Sequence, residues 1–174
     1  MDYRSVFFLG LTVFTAAMIL LPYAFGAIWY PTSAKAIRAM IAFGQIGKDD
    51  TVVDLGSGDG RVLIAVARRT GASCIGVEIN PVMVIISKIR VCLSGQRRRV
   101  SIRWANAYRF DLDRADIVLV YLSHKAMDRL RPLVREKMRP DARLVSHGFL
   151  MRDWPPRRRD IAQSVYLYRT SDCA

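Results

Sequence analysis

VVDLGSGDGR, residues 52–61, places three glycines and two aspartates behind a β-branched pair. TVVDL (51–55) reads as a strand and GRVLIAVARR (60–69) as a helix, so the glycines form the turn between them. Helix N–H groups there point at whatever the turn holds. Spacing separates the candidate ligands. A phosphate loop needs GxxxxGK[ST] and a dinucleotide turn GxGxxG, whereas Gly56, Gly58 and Gly60 give GxGxG. Asp54 precedes the turn and Asp59 lies inside it. Negative charge repels phosphate but suits a ligand carrying an ammonium and a sulfonium, the methionyl end of S-adenosylmethionine.

Outward from this turn, strands and helices alternate. SCIGVE (73–78), VSIRW (100–104), DIVLVYL (116–122), ARLVSHGF (142–149) and SVYLYR (164–169) read as strands. PVMVIISKIRVCL (81–93), with Pro81 at its first position, and KAMDRLRPLVREKM (125–138) read as helices. Pro132 is expected to interrupt the second or to begin another. Before the first strand, AKAIRAMIAFGQ (34–45) reads as a short helix capped by Thr32 or Ser33. Several strands are continuously apolar, which predicts an α/β fold of Rossmann-like type, its mainly parallel sheet covered on both faces.

Glu78 ends the second strand, 24 residues after Asp54, where a carboxylate accepts from both ribose hydroxyls of an adenosine. NAD would use the same acid, so Glu78 indicates a nucleoside without choosing one. Asn106 follows the third strand, where its side-chain carbonyl can accept from an adenine amine. A solvated strand-end acid and a turn residue are the plainer readings of each alone; in register with DxGxGxG they indicate a nucleoside cofactor together.

The 174 residues suffice for one domain and an appendage. A net charge of +12 implies attraction to something anionic, whether a lipid surface, an acidic partner or nucleic acid. Cys74, Cys92 and Cys173 form no CxxC pair, and two histidines without a carboxylate cluster make no metal site. No charge occurs from Ser5 to Ala34, and the apolar run from Val6 to Trp29 is long enough for a transmembrane helix. Residues 1–30 are therefore expected to be a membrane anchor and 31–174 the catalytic domain. Lys35, Arg38 and Lys48 after the run place that domain on the cytoplasmic side of a single-pass membrane protein. The membrane would be a bacterial inner membrane or, in a eukaryote, the mitochondrial inner membrane.

YPTSAKAI (30–37), VVDLGSGDGRVLIAVA (52–67), GVEINPVMV (76–84) and RLVSHGFLMRDWPP (143–156) together resemble the class I, seven-β-strand S-adenosylmethionine-dependent methyltransferases. More narrowly, they resemble the ATP synthase c-subunit lysine N-methyltransferases and their prokaryotic relatives. The resemblance implies S-adenosyl-L-methionine as cofactor, held by Asp54, Gly56, Ser57, Gly58, Asp59, Gly60, Glu78, Asn80 and Asn106. It further implies a protein lysine on a membrane protein as acceptor. The chain departs from the family at Asn106, where an aspartate is usual, at VYLSHKAM (120–127), and in lacking FPFP in the late element.

Methyl transfer from a sulfonium is an in-line displacement, so positioning matters more than a catalytic triad. Tyr121 is the candidate for acceptor positioning and His124, with His147, for proton relay. Trp154 before Pro155 and Pro156 is either part of an acceptor rim or a packed cap. The pairs and triplets Arg68–Arg69, Arg97–Arg99 and Arg157–Arg159 read as solvated element ends that anionic lipid would attract. Methylation of a lipid, a small molecule or RNA is the alternative, as is a cofactor-binding assembly module without turnover. The absence of an (N/D)PP(Y/F) segment ranks nucleic acid behind protein.

Overall fold

The computed structural model describes residues 2–24 and 31–172, with side chains through residue 15 in the first stretch. Its first helix, α1, spans Tyr3–Ala24. α2 (Ala34–Gly44) starts at Ser33, whose side chain accepts from the Ala36 N–H, and ends where Gln45 turns left-handed. Then follow β1 (Thr51–Leu55), α3 (Arg61–Thr70), β2 (Ser73–Glu78), α4 (Pro81–Leu93) and β3 (Val100–Trp104). A 3-10 turn at Ala107–Arg109 leads to β4 (Ile117–Val120), α5 (His124–Lys137) and β5 (Arg143–His147). β6 (Arg158–Asp160) and β7 (Val165–Arg169) close the sheet.

The strands lie in the order β3-β2-β1-β4-β5-β7-β6. The first five run parallel, while β7 is antiparallel to both β5 and β6. Alternate strand residues serve two cores. Val52, Ile117, Leu119 and Val145 pack with Ile37 and Met40 of α2, Leu63 and Val66 of α3, and Val84 and Val91 of α4. Val53, Leu55, Val118, Val120 and Leu144 pack with Met127, Leu130 and Val134 of α5 and with Trp154. One-residue alternation thus feeds both faces of a buried sheet.

Arg143 ties α2 to this sheet, donating to the Gly44 carbonyl at 2.6 Å and pairing with Asp50 at 2.5 Å. Asp116, just before β4, accepts from the Thr51 N–H at 2.7 Å and pairs with Arg139. These contacts hold the amino ends of the strands and leave the carboxyl ends for the ligand.

Three expectations change. α5 runs unbroken through Pro132 because its buried face, Ala126, Met127, Leu130, Leu133 and Val134, holds the turn, while Pro132 itself faces solvent. β6 has no apolar alternation to announce it. It forms by pairing with β7, and Arg158 lays its guanidinium over the Phe43 ring, 4.6 Å from the centroid. Arg157 pairs with Asp172, so this triplet is not simply a solvated end.

The third correction concerns the membrane. Among the described residues no helix is long and apolar enough to cross a membrane, which overturns the expected single-pass localisation and transmembrane helix. Of the apolar run, residues 25–29 and the side chains of residues 16–24 lie outside what the structure describes.

Candidate functional site

The glycine turn forms at the carboxyl end of β1. Gly56, Gly58 and Gly60 all adopt positive φ, 88°, 52° and 77°, which side chains with a Cβ rarely tolerate. Gly56 and Ser57 donate to the Val77 carbonyl of β2 at 2.9 and 3.1 Å, and Gly60 donates to the Ser57 carbonyl at 2.9 Å. The turn is thereby laced to its neighbouring strand. Ser57 is buried with its Oγ unpartnered among the described residues. That oxygen lies against Gly76 of β2, where an added Cβ would come within 2.7 Å of it.

Glu78 is buried at the end of β2. One of its oxygens accepts from the Gly58 N–H at 2.9 Å and the other from the Asn80 N–H at 2.8 Å. A carboxylate oxygen offers more than one acceptor site, so both remain able to take a ribose hydroxyl. Asn80 caps α4, accepting from the Val82 and Met83 N–H groups at 3.0 and 3.4 Å. Asn106 caps the 3-10 turn, accepting from the Tyr108 N–H at 2.9 Å. Its side-chain carbonyl, expected to meet an adenine amine, therefore already holds one backbone donor.

The two aspartates differ sharply. Asp59 accepts from the backbone and guanidinium of Arg61 and pairs with Arg90 of α4 at 2.5 Å. Burial pulls its carboxyl up, but the Arg61 hydrogen bonds and the two cations win and hold it below its ordinary value. Asp54 has no ion pair among the described residues. Burial first, then the nearby charges of Glu78 and Asp59, push its carboxyl up to about 7. A buried acid beside a second acid is relieved by a cation, so the donor set fits a ligand with ammonium and sulfonium charge. Asp59, neutralised by two arginines, braces the turn instead of offering net charge.

The residues expected on the acceptor side lie one and two strands away. Leu55 stands opposite Val120, and Val120 opposite Ser146, so Gly56, Tyr121 and His147 continue one row across the carboxyl ends of β1, β4 and β5. A Cβ on Gly56 would lie 3.1 Å from Leu122, which shows how closely the turn and the segment after β4 approach. Tyr121 packs against His147 with ring centroids 4.2 Å apart and against Phe149 at 6.3 Å. His124, exposed at the start of α5, meets Phe149 edge-on at 4.7 Å. Burial lowers the His147 imidazole below its ordinary value, favouring the neutral ring.

Trp154 is 2 % exposed and packs on Tyr168 at 5.1 Å, a cap on the core and not part of an acceptor rim. Arg90, Gly76, Gly148 and Phe149 were not singled out from the sequence. A glycine mid-strand and a glycine just past β5 were the available signals for two of them; nothing local marks Arg90 or Phe149. Among the described residues no group of three metal-ligating side chains occurs.

Residues 54–158 match the family described as ANTKMT methyltransferase domain. A protein-lysine N-methyltransferase of Saccharolobus islandicus is 31% identical over 147 residues, covering 80% of this chain and 91% of that protein. The human ATP synthase c-subunit lysine N-methyltransferase is 25% identical over 126 residues, covering 72% of this chain and 53% of its own. This chain thus spans about half the length of the human protein. A Salinibacter ruber RNA methyltransferase, crystallised with S-adenosyl-L-homocysteine, superposes with a TM-score of 0.77 at 32% identity, covering 80% of this chain and 92% of that one. With its glycine turn, its unpaired Asp54 and its Glu78 latch, the chain belongs to the ANTKMT methyltransferase-domain family and is an S-adenosylmethionine-dependent methyltransferase.

Proposed function

We propose that the enzyme methylates the side-chain nitrogen of protein lysines. The observation that carries this is the 31% identity to a protein-lysine N-methyltransferase along nearly that protein's whole length. The local chemistry agrees with it. When bound, the cofactor supplies an electrophilic methyl group on a cationic sulfur. Asp54 faces the cation, Glu78 takes the ribose, and the backbone of Gly56, Ser57, Gly58 and Gly60 makes room for close approach. Asn80 and Asn106 shape the two loops that border the nucleoside. Asp59 secures the turn through Arg61 and Arg90.

Tyr121, braced by His147 and Phe149, forms an aromatic wall beside the turn and positions the amine. An aromatic, poorly hydrated wall favours the neutral amine over the ammonium, as nucleophilic attack requires. His124, on the solvent side of Phe149, is placed to pass the released proton outward. Every residue named in this machinery lies after residue 30, which supports residues 31–174 as the catalytic domain. The finer form of the proposal is an acceptor lysine on a membrane protein, supported by the human relative that acts on the ATP synthase c-subunit.

The Salinibacter ruber relative and the net charge of +12 favour RNA as the second reading. Labelled methyl donor, incubated with purified enzyme and with separated membrane protein, soluble protein, lipid and RNA fractions, distinguishes them. Methyl-lysine recovered from the membrane-protein fraction is expected. Methyl-lysine in soluble protein alone overturns the finer form, and label confined to lipid or to RNA overturns the proposal.

A further inference from the structure

α4 and β3 form one edge of the sheet, and the chain that builds them, residues 79–110, contains no aspartate or glutamate. It carries Lys88, Arg90, Arg97, Arg98, Arg99, Arg103 and Arg109. Arg90 is committed to Asp59 and Arg99 to the Gly71 carbonyl. Lys88, Arg97 and Arg103 are exposed and make no ion pair among the described residues. Between these cations the outer face of α4 is apolar. Ile85, Ile89 and Leu93 follow at intervals of four and are 58, 54 and 82 % exposed, with Ile86 beside them at 37 %. Residues at this spacing line up along one side of a helix.

The stripe borders an open groove of about 400 Å³ between α4 and β3. Lys88, Ile89, Cys92 and Arg97 form its walls, with Val100 and Ile102 beneath. Isolated exposed hydrophobics need no explanation, but a continuous aliphatic row on a charged helix does. We propose that this face docks an amphipathic helix of a partner protein, its apolar side on the isoleucine stripe and its acidic flanks on Lys88, Arg97 and Arg103.

Three properties of the surface select that occupant. Nucleic acid is bound through rows of aromatic stacking platforms and phosphate contacts, whereas the one large exposed aromatic among residues 79–110 is Trp104, its indole N–H donating to the Ile79 carbonyl at 3.0 Å, and aliphatic isoleucines stack no bases. A second copy would bring its own Lys88 and Arg97 against these, a repulsion that residues 79–110 have no acid to relieve. A flat lipid surface makes no use of a groove, whereas helix-in-groove docking uses both a straight stripe and a pocket for an anchoring side chain. The face lies on the β3 edge, while the acceptor wall stands over β4 and β5. Docking here would therefore leave the methyl-acceptor side open.

The test uses the full chain and defined probes. A synthetic leucine/glutamate amphipathic helix, its leucine/lysine counterpart, phosphatidylglycerol vesicles and a uridine oligonucleotide are titrated separately. The acidic helix should bind saturably and the basic one should not. Ile85→Ser combined with Ile89→Ser should weaken binding at least about tenfold at high salt, where charge is screened. Lys88→Gln with Arg97→Gln should weaken it mainly at low salt. Cofactor affinity should be unchanged in both variants, which shows that they remain folded. The proposal is overturned if the serine pair leaves acidic-helix binding intact. It is equally overturned if vesicles or oligonucleotide bind through the isoleucines and the acidic helix does not, or if sedimentation finds a dimer that the serine pair dissolves.

Discussion

Tyr121 and Gly148 touch across the ends of β4 and β5: a Cβ on Gly148 would lie 2.7 Å from Tyr121 Cε2. Gly148 also adopts a φ of 82°, so alanine there is strained even before it meets the ring. Gly148→Ala should push Tyr121 out of the acceptor wall. We expect kcat/KM for methyl transfer to fall at least about tenfold, the effect of a small misplacement of a positioning group. Cofactor affinity measured by calorimetry should stay within about twofold, because Asp54 and Glu78 are untouched.

Asp54 predicts a pH dependence of cofactor binding. Its folded value, about 7, stands above the ordinary 3.8, so between these values the folded chain keeps a proton that the unfolded chain has lost. This group's contribution to stability therefore declines as pH rises from about 4 to about 7. A cationic ligand reverses the preference by stabilising the charged carboxylate. Affinity for S-adenosylmethionine should rise with pH up to about 7, by at most tenfold per unit, and then level. Asp54→Asn should bind weakly at every pH, with the pH dependence of binding gone.

Glu78→Gln tests the latch. The carboxylate accepts from the Gly58 and Asn80 N–H groups with separate oxygens, and an amide would turn one NH2 toward an N–H. A charge-assisted hydrogen bond of this kind contributes about 1.5–3 kcal/mol. Cofactor affinity should drop at least about tenfold, and the melting temperature of the free protein should fall as well. A variant with unaltered affinity would remove Glu78 from the site.

Gly76→Ala probes packing beneath the turn. Its Cβ would lie 2.7 Å from Ser57 Oγ and 2.8 Å from both Ile102 Cδ1 and Leu63 Cδ1, three contacts from three elements. Overpacking of this sort costs about 1–3 kcal/mol. Chemical denaturation should report that loss, and cofactor binding should weaken because Ser57 is displaced with the turn.

Much of this enzyme was legible before folding was considered. The ranges 51–55, 73–78, 81–93 and 100–104 coincide with elements of the structure because local patterns mark them: continuous apolar strands, and a proline behind an asparagine cap. The glycine turn was equally plain, since positive φ at Gly56, Gly58 and Gly60 demands those residues whatever surrounds them. β6 escaped notice because Arg158–Asp160 has no alternation of its own and exists only through β7. Pro132 misled because buried contacts of α5 outweigh a local helix signal. The apolar N-terminal run suggested a span by composition, yet the described helix does not provide one.

Sequence alone determined the cofactor, because a turn that must hold a cationic nucleoside needs small residues and an acid at short, fixed spacing. Tertiary structure decided what each acid does. Asp54 and Asp59 sit five residues apart and look equivalent in the chain. Only folding brings Arg90 from α4 to Asp59 and leaves Asp54 buried beside Glu78, so that one carboxyl is neutralised by cations and the other is pushed up to about 7. The aromatic cluster proposed to face the acceptor is likewise a product of register: Tyr121, His147 and Phe149 meet because β4 and β5 are neighbours, a long-range pairing that no local pattern encodes.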